Sequence, residues 1–547
     1  MFDFLKKEKI IAGKDYNRWK VPVASILIHM CIGSVYAWSI FNPALIKLEG
    51  VVASSANDWS LSEVVWIFSV AIVSLGISAA LAGKWLERVG PRMVGVCAAI
   101  TWGGGFIIGY FGIITHQLWL LYLGYGVIGG IGLGLGYVSP VSTLIRWFPD
   151  RRGMATGMAI MGFGGGAMIG GPLKRWLLSV YYKAPESLGA IADLNLQTVD
   201  GVRVVEMNNT IVEVVVQNSE AFIVGTGNTG IDGTFLTLGI GYFLIMTLAS
   251  MFYRIPAEGC KPANFVEKKE RRTNLITIKN VTVDNAMKTP QFYLLWIVLC
   301  MNVSAGIGVI GIAKTMITEI FGGSMPGIVD GAFASFYVVM ISVFNMSGRF
   351  IWASASDYIG RKNTYYVFFI LGIGLYLTIP YAAAAVSANP AVQYLVMFYG
   401  ATMIIFTMYG GGFATIPAYL ADIFGTKNVG AIHGRLLTAW STAGIVGPLA
   451  ITKLREFSVV DAMNKLAEKI DNATFIKAFG TGKENIERLI ETNTVTIKSL
   501  MDIAPNGTID PSATIYNTTM YTMAGLLVVG LIANYLVKSV DKKYQED

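Results

Sequence analysis

The sequence is short of charge. Of its 547 residues only 14% are Asp, Glu, Lys or Arg, against about 25% in a typical soluble domain. Histidine is scarcer still, at three, and there are four cysteines. Cys31, Cys97 and Cys300 lie in apolar runs and Cys260 in a connection, so neither a disulfide framework nor a zinc-ligand spacing is present. The apolar runs hold no acid–base pair, metal cluster or nucleophile constellation, which argues against an enzyme. No metal and no cofactor are expected. The net charge of +7 could suit nucleic acid, but the placement of the basic residues explains it otherwise.

Apolar residues are plentiful: 54% are hydrophobic, and mean hydropathy is +0.56. Twelve apolar runs take up half the chain: residues 21–41, 64–82, 93–114, 118–145, 153–173, 234–253, 292–313, 331–356, 364–386, 391–421, 430–452 and 518–537. Only Arg349 and Arg435 in them are charged. Each run is close to or longer than the roughly 20 residues a helix needs to cross hydrocarbon. None alternates as a barrel strand would. The remaining half carries a water-facing charge density. The expected fold class is an all-α membrane protein: a twelve-helix bundle in a lipid bilayer, with soluble connections.

Orientation follows from Lys and Arg in alternate connections. Residues 1–20, the central loop 254–291 and the C-terminus lie on the basic side. The short connections on the other side hold only Lys47 and Lys314. Both termini are therefore expected in the cytoplasm, of a multi-pass protein in the cell membrane. Residues 1–20 lack a small-residue cleavage site, so the first run reads as a retained helix.

The halves repeat. Glu87, Gly90 and Arg92 recur as Asp357, Gly360 and Lys362; Pro140, Gly153 and Gly157 as Pro417, Gly430 and Gly434; Gly171 and Pro172 as Gly447 and Pro448. Order and sidedness are kept, which marks a parallel six-plus-six duplication. The expected domains are an N-terminal six-helix bundle, 1–253, with an exofacial insertion at 174–233; a cytoplasmic linker, 254–291; and a C-terminal six-helix bundle, 292–547, with an exofacial insertion at 453–517. The linker run Lys268, Lys269, Glu270, Arg271, Arg272 suits anionic headgroups. In the first insertion, the β-branched runs 202–206 and 211–216 about Asn208 and Asn209 predict a hairpin. In the second, two amphipathic stretches, 459–479 and 483–501, predict helices. Gly126, Gly130, Gly134 and Gly162, Gly166, Gly170 recur at every fourth position, a spacing that lets helices touch backbone to backbone.

Gly83, Glu87, Arg88, Gly90, Pro91 and Arg92, with the second copy Asp357, Gly360, Arg361 and Lys362, resemble the cytoplasmic loop signature of the major facilitator superfamily. Glu87 stands for the usual aspartate and Pro91 for a basic residue. Gly33, Ser34, Tyr36 and Trp38, the stretch Arg146 to Gly153, and Thr289, Pro290 and Trp296 resemble the oxalate/formate antiporter family, which is related to the monocarboxylate transporters. The likeness covers all twelve runs but neither long insertion. It implies a secondary transporter for small carboxylate anions, working by alternating access. It also implies that Glu87, Arg88, Arg92, Asp357, Arg361 and Lys362 act in gating. Physically, Glu87 and Asp357 can accept hydrogen bonds at a neighbouring helix N-terminus.

Arg349 lies eight residues before Asp357, about 12 Å into a half-thickness of about 15 Å. No acid stands in any run to pair with it, so its planar fork is a ready carboxylate site. Asn345 is four residues back on the same face and can donate to the same anion. In the related monocarboxylate transporters a carboxylate often takes that place and carries a proton, which asparagine cannot do. Tyr137, Tyr409, Tyr36 and Trp440 are further candidate substrate contacts, because phenol and indole donate hydrogen bonds without fixed charge; Trp66 is a weaker one. His29 is the one midplane group able to exchange a proton near neutral pH; His433 and His116 read as close to the two faces. Oxalate carriers of the family have a lysine where Trp440 stands, so a single Arg favours a monoanion of the formate or lactate class. Arg435 reads as near the cytoplasmic mouth, and Lys314 as an exofacial attractor of anions. The alternatives are oxalate/formate-type exchange of a dicarboxylate, and a transporter-like sensor using the exofacial loops. A monomer is expected.

Overall fold

The computed structural model describes residues 3–13, 16–199, 202–207, 210–257, 276–277, 279–491 and 495–546. The basic run 268–272, Cys260 and the Asn208–Asn209 turn lie outside the described residues. All twelve apolar runs are helical. In chain order the helices are α1 (Lys20–Gly33), continued by a 3₁₀ segment Ser34–Ile40; α2 (Leu61–Val89); α3 (Pro91–Ile114); α4 (Gly130–Trp147), entered through π-helical Tyr122–Gly129; α5 (Arg152–Tyr181); and α6 (Ile231–Met251). The second half supplies α7 (Pro290–Ile317), α8 (Gly331–Ile359), α9 (Arg361–Ala388), α10 (Val392–Phe424), α11 (Val429–Leu436) and α12 (Thr438–Lys469). Short helices α13 (Asn472–Phe479), α14 (Ile486–Glu491) and α15 (Ile497–Met501) precede α16 (Asn517–Leu536). Among the described residues, ten helical stretches are long and apolar enough to cross a membrane. The other two runs are the glycine-dense one in α5 and the one with His433 and Arg435 in α11 and α12.

The duplication is visible in the backbone. Gly90 (φ 88°) and Gly360 (φ 87°) each form the one-residue turn between two long helices. Only glycine takes that conformation without strain. Pro140 and Pro417 lie inside α4 and α10, and Pro172 and Pro448 inside α5 and α12.

Residues pack into two compact units. The first comprises Met1–Thr289, Pro417–Ser441 and Ser539–Asp547; the second, Pro290–Ile416 and Thr442–Lys538. The units therefore do not follow the sequence halves: residues 417–441 pack with the first half. Small residues make this possible. A Cβ at Gly83 of α2 would strike Ala431, one at Gly434 would strike Ala79, and Ser441 donates to the carbonyl of Ile72 at 2.8 Å.

In the first unit both glycine series serve as seams. A Cβ at Gly126 would stand 2.9 Å from Val70, and one at Gly130 2.5 Å from Ser74, so α2 lies against the π segment and α4. At Gly162 the nearest atom would be the Ile26 carbonyl at 2.7 Å, and at Gly166 the Met30 carbonyl at 2.6 Å, so α5 lies against α1. The insertion forms β1 (Ser187–Ala190), β2 (Leu196–Val199), β3 (Val202–Met207), β4 (Thr210–Gln217) and β5 (Glu220–Ile223). They make one antiparallel sheet ordered β1-β5-β4-β3-β2. The expected hairpin is its β3–β4 pair. Val205, Val214 and Ala221 form a small core beneath it. Gly225 N–H donates to the Glu49 carbonyl at 2.9 Å and ties the sheet's end to the α1–α2 connection.

In the second unit the exofacial insertion differs from expectation. Instead of beginning a separate helix near residue 459, α12 runs unbroken to Lys469. Asp471 caps α13 by accepting from the Thr474 amide at 2.9 Å, and Gly480 (φ 75°) ends it. The stretch 483–501 breaks into α14 and α15. Met463, Leu466, Ala467 and Ile470 bury themselves against Phe475, Val495 and Leu500. Arg455 pins this cap, donating from Nε to Glu319 at 3.1 Å and to the Tyr516 hydroxyl at 3.0 Å.

Candidate functional site

Arg349 is fully buried in α8 (0% exposed). Its Nε donates to Asn345 Oδ1 at 3.2 Å, and its guanidinium lies 5.3 Å from the centre of the Phe413 ring. The approach depends on Gly410, where a Cβ would stand 2.7 Å from Asn345 Oδ1 and 3.1 Å from Arg349 Cγ. Tyr409, buried in the same helix, stacks edge-on with Phe413 at 5.4 Å. Asn302 of α7 is buried too, and its carbonyl oxygen approaches Gly412, the last glycine of the same run. The second unit thus brings Arg349, Asn345 and Tyr409 together on a glycine-lined stretch of α10. A buried guanidinium beside an amide and aromatic faces can hold a planar carboxylate through paired hydrogen bonds.

The first unit collects the other candidates. Tyr137 and Trp440 are fully buried, with ring centroids 5.4 Å apart, and Phe163 packs against both. Tyr36 lies 5.2 Å from Phe163 and 6.2 Å from Trp440. His29 is fully buried, 5.2 Å from the Tyr137 ring. Trp66 does not join them. It is 52% exposed on α2, and no ring contact joins it to this cluster among the described residues. His433 is buried, 5.9 Å from the Tyr137 ring, and neither ring nitrogen has a hydrogen-bond partner among the described residues.

The loop motifs cross-link helix ends. Glu87 is ion-paired with Arg146, and its other oxygen lies beside the first turn of α11, 2.9 Å from where a Gly430 Cβ would be. Its hydrogen bond comes from Arg146, although a helix N-terminus was the expected donor. Asp357 accepts from Arg361 at 2.5 Å. Arg92 donates to the carbonyls of Met251 (2.9 Å) and Tyr253 (3.2 Å), just past α6; Lys362 donates to those of Tyr535 (2.9 Å) and Val537 (2.7 Å), at the end of α16. The two copies therefore do the same work, since cations stabilise the carbonyl-rich end of a helix. Arg88 is exposed.

Arg435 meets Asp284 of the linker at 3.4 Å, and Lys84 holds the same carboxylate at 2.8 and 2.9 Å. The hydrogen bond from Lys84, with Arg435 adding to it against slight desolvation, keeps the Asp284 carboxyl below its ordinary range. Arg152 reaches Asp422 at 3.2 Å. All five residues belong to the first unit, so these pairs fasten segments of both sequence halves.

One charged residue escaped the sequence reading. Lys174, the first residue of the expected exofacial insertion, lies inside α5 and is 0% exposed. The apolar run stops one residue short of it, whereas the helix continues to Tyr181.

Residues 28–191 and 221–448 match the Major Facilitator Superfamily. Among its relatives in sequence, the chain is 25% identical to the oxalate:formate antiporter of Oxalobacter formigenes, over 79% of this chain and 83% of that one. It is 25% identical to the uncharacterised MFS-type transporter YhjX of Escherichia coli (strain K12), over 78% and 86%. It is 22% identical to apicoplast pyruvate carrier 1 of Toxoplasma gondii, over 77% and 81%. Among solved structures, FucP in the outward conformation aligns with TM-score 0.53 at 12% identity, covering 95% of this chain and 99% of that one. The xylose symporter XylE aligns with TM-score 0.53 at 13% identity, covering 95% and 96%. These two likenesses speak for the fold. The chain belongs to the Major Facilitator Superfamily and is a secondary transporter, not an enzyme.

Proposed function

We propose that the chain carries small monocarboxylate anions, of formate or lactate size, by alternating access. The observation that carries this reading is Arg349: a fully buried guanidinium in an apolar helix, joined to Asn345 and facing an aromatic ring. Placing such a charge inside a bilayer costs at least about 2.5 kcal/mol, so intramembrane cations mark substrate paths. Arg349 and Asn345 would hold the carboxylate, with Tyr409 beside them. Tyr137, Tyr36 and Trp440 offer neutral O–H and N–H donors to an anion that passes them. Relatives named for oxalate, formate and pyruvate support short carboxylates. Asn345 cannot carry a proton, which favours exchange or facilitated flux; His29 is the proton site if there is one.

Exchange of a dicarboxylate with formate is a second reading. The relative named for both oxalate and formate favours it. In either case Glu87, Arg88, Arg92, Asp357, Arg361 and Lys362 act in gating. The chain sits as a monomer in the cell membrane with both termini in the cytoplasm, its six-helix halves being residues 1–253 and 292–547.

Labelled formate, lactate and oxalate are offered to proteoliposomes loaded with unlabelled acid. The reading expects monocarboxylate uptake that internal substrate stimulates and that Arg349→Ala abolishes. Normal uptake by folded Arg349→Ala removes the site. A clear preference for oxalate selects the second reading.

A further inference from the structure

Lys174 is a fully buried amine whose partners among the described residues are two backbone carbonyls and a ring. Its Nζ donates to Ser34 O at 2.8 Å and Ala37 O at 3.3 Å, and lies 4.4 Å from the centre of the Phe41 ring. It makes no ion pair among the described residues. Those carbonyls are available for a reason. The α-helix of α1 ends at Gly33, the chain tightens into 3₁₀ geometry over Ser34–Ile40, and Ala37 departs from helical angles (φ −96°, ψ 27°). At such a break the regular α-helical pairing is lost, and a carbonyl oxygen, with two lone pairs, can accept from a side chain as well as from the backbone. The side chain of Lys174 reaches back over Gly170, where a Cβ would stand 3.0 Å from Ser34, and donates to two of these carbonyls.

If packing alone were required, methionine or leucine would fill this space without the desolvation penalty of a polar, ionisable group. A lysine whose Nζ donates to two carbonyls there calls for another account. Ser34 and Ala37 flank Tyr36, whose ring meets Phe163 and Trp440. Holding both carbonyls fixes the backbone on each side of Tyr36 and therefore the direction of its hydroxyl.

We propose that Lys174 is a positioning residue: its amine holds the broken segment 34–40 of α1 in the conformation that presents Tyr36 to the transported anion. The link to transport rests on the carboxylate-carrier reading above, whereas the link to the backbone does not.

Two readouts on the full-length protein in nanodiscs and proteoliposomes test it. Lys174→Met matches the side chain as far as Cε and lacks the amine donor. In that variant, amide hydrogen exchange over residues 34–41 should rise at least tenfold, with α3 unchanged. The KM for labelled formate or lactate should rise about tenfold while the maximal rate stays within twofold. Lys174→Arg, which keeps N–H donors, should restore most of both. Tyr36→Phe should raise KM in the parent but add nothing to Lys174→Met. Parental exchange at 34–41 in Lys174→Met overturns the proposal, as does independent multiplication of the two KM effects. If Lys174→Met does not fold, Lys174→Gln, an uncharged and shorter side chain whose amide cannot reach as far as Nζ, carries the same readouts. Should the parent transport neither acid, the carboxylate reading fails while the exchange measurement still decides whether Lys174 holds the break.

Discussion

Arg349 donates from Nε to the side-chain oxygen of Asn345, 3.2 Å away and one turn back along α8. With that oxygen turned to the guanidinium, the amide nitrogen of Asn345 is the atom left to donate to an anion. The pair therefore works as one recognition unit. Arg349→Ala should lower uptake efficiency by a factor of at least about 100, and Asn345→Ala by about tenfold, consistent with the loss of one hydrogen bond to a charged group. Initial rates in proteoliposomes, set against equal protein orientation and thermal stability, measure both.

Asn345→Asp would put a carboxylate where the substrate's carboxylate is proposed to bind. Arg349 then pairs internally and uptake should fall at neutral pH. Protonating the new acid frees the guanidinium, so uptake should recover as pH falls. A flat pH profile in this variant would show that residue 345 does not address the anion.

The α1–α5 seam leaves no room at Gly166, because a Cβ there meets the Met30 carbonyl at 2.6 Å. Backbone on a neighbouring helix cannot step aside as a side chain can. Gly166→Ala should destabilise the protein by about 1–3 kcal/mol. Gly104 of α3 has nothing within 4 Å of its built Cβ, so Gly104→Ala should be neutral. Half-inactivation temperatures of the two variants give the comparison.

Glu87 and Arg146 are half-buried partners next to α11. Glu87→Gln keeps the shape and removes the charge, leaving Arg146 without its carboxylate. The expected cost is about 2 kcal/mol, visible as a lower half-inactivation temperature, and Arg146→Gln should not add to it. Additive losses would mean that the two act separately.

Asp284 has its carboxyl lowered by Lys84 first and Arg435 after it. A depressed acid contributes stability above its unfolded value, near 3.9, and loses it as pH falls through the lower folded value. Asp284→Asn should therefore differ from the parent by a constant amount from pH 7 down to about pH 4, and the difference should vanish below the folded value. A difference that disappears between pH 6 and 7 would point to a histidine.

Much of the architecture was legible along the chain because it rests on local properties. Twelve apolar runs of membrane length are helical, and the duplication reappears in paired glycine turns at Gly90 and Gly360. Regular glycine spacing foretold close helix seams, although not that α1 would be the partner of α5. The hairpin at 202–216 formed, but the sequence did not reveal the three strands that complete its sheet. The insertion after α12 was misjudged at its start, because nothing local distinguishes a helix that continues from one that begins anew. Trp66 and Tyr137 read alike as polar aromatics in apolar runs; only packing turned one outward and buried the other.

By itself the sequence determined that the chain crosses a membrane repeatedly, that its halves are copies, and that one arginine sits deep in an apolar helix. Hydropathy and spacing suffice for these, being properties of a segment and its immediate neighbours. Tertiary structure decided the rest. It drew residues 417–441 against α2, set Arg435 on Asp284, buried His433 beside Tyr137, and folded Lys174 onto the broken end of α1. Such placements depend on which carbonyls, rings and carboxylates arrive from distant parts of the chain. No window along the sequence holds both the lysine at 174 and the carbonyls at 34 and 37 that keep it.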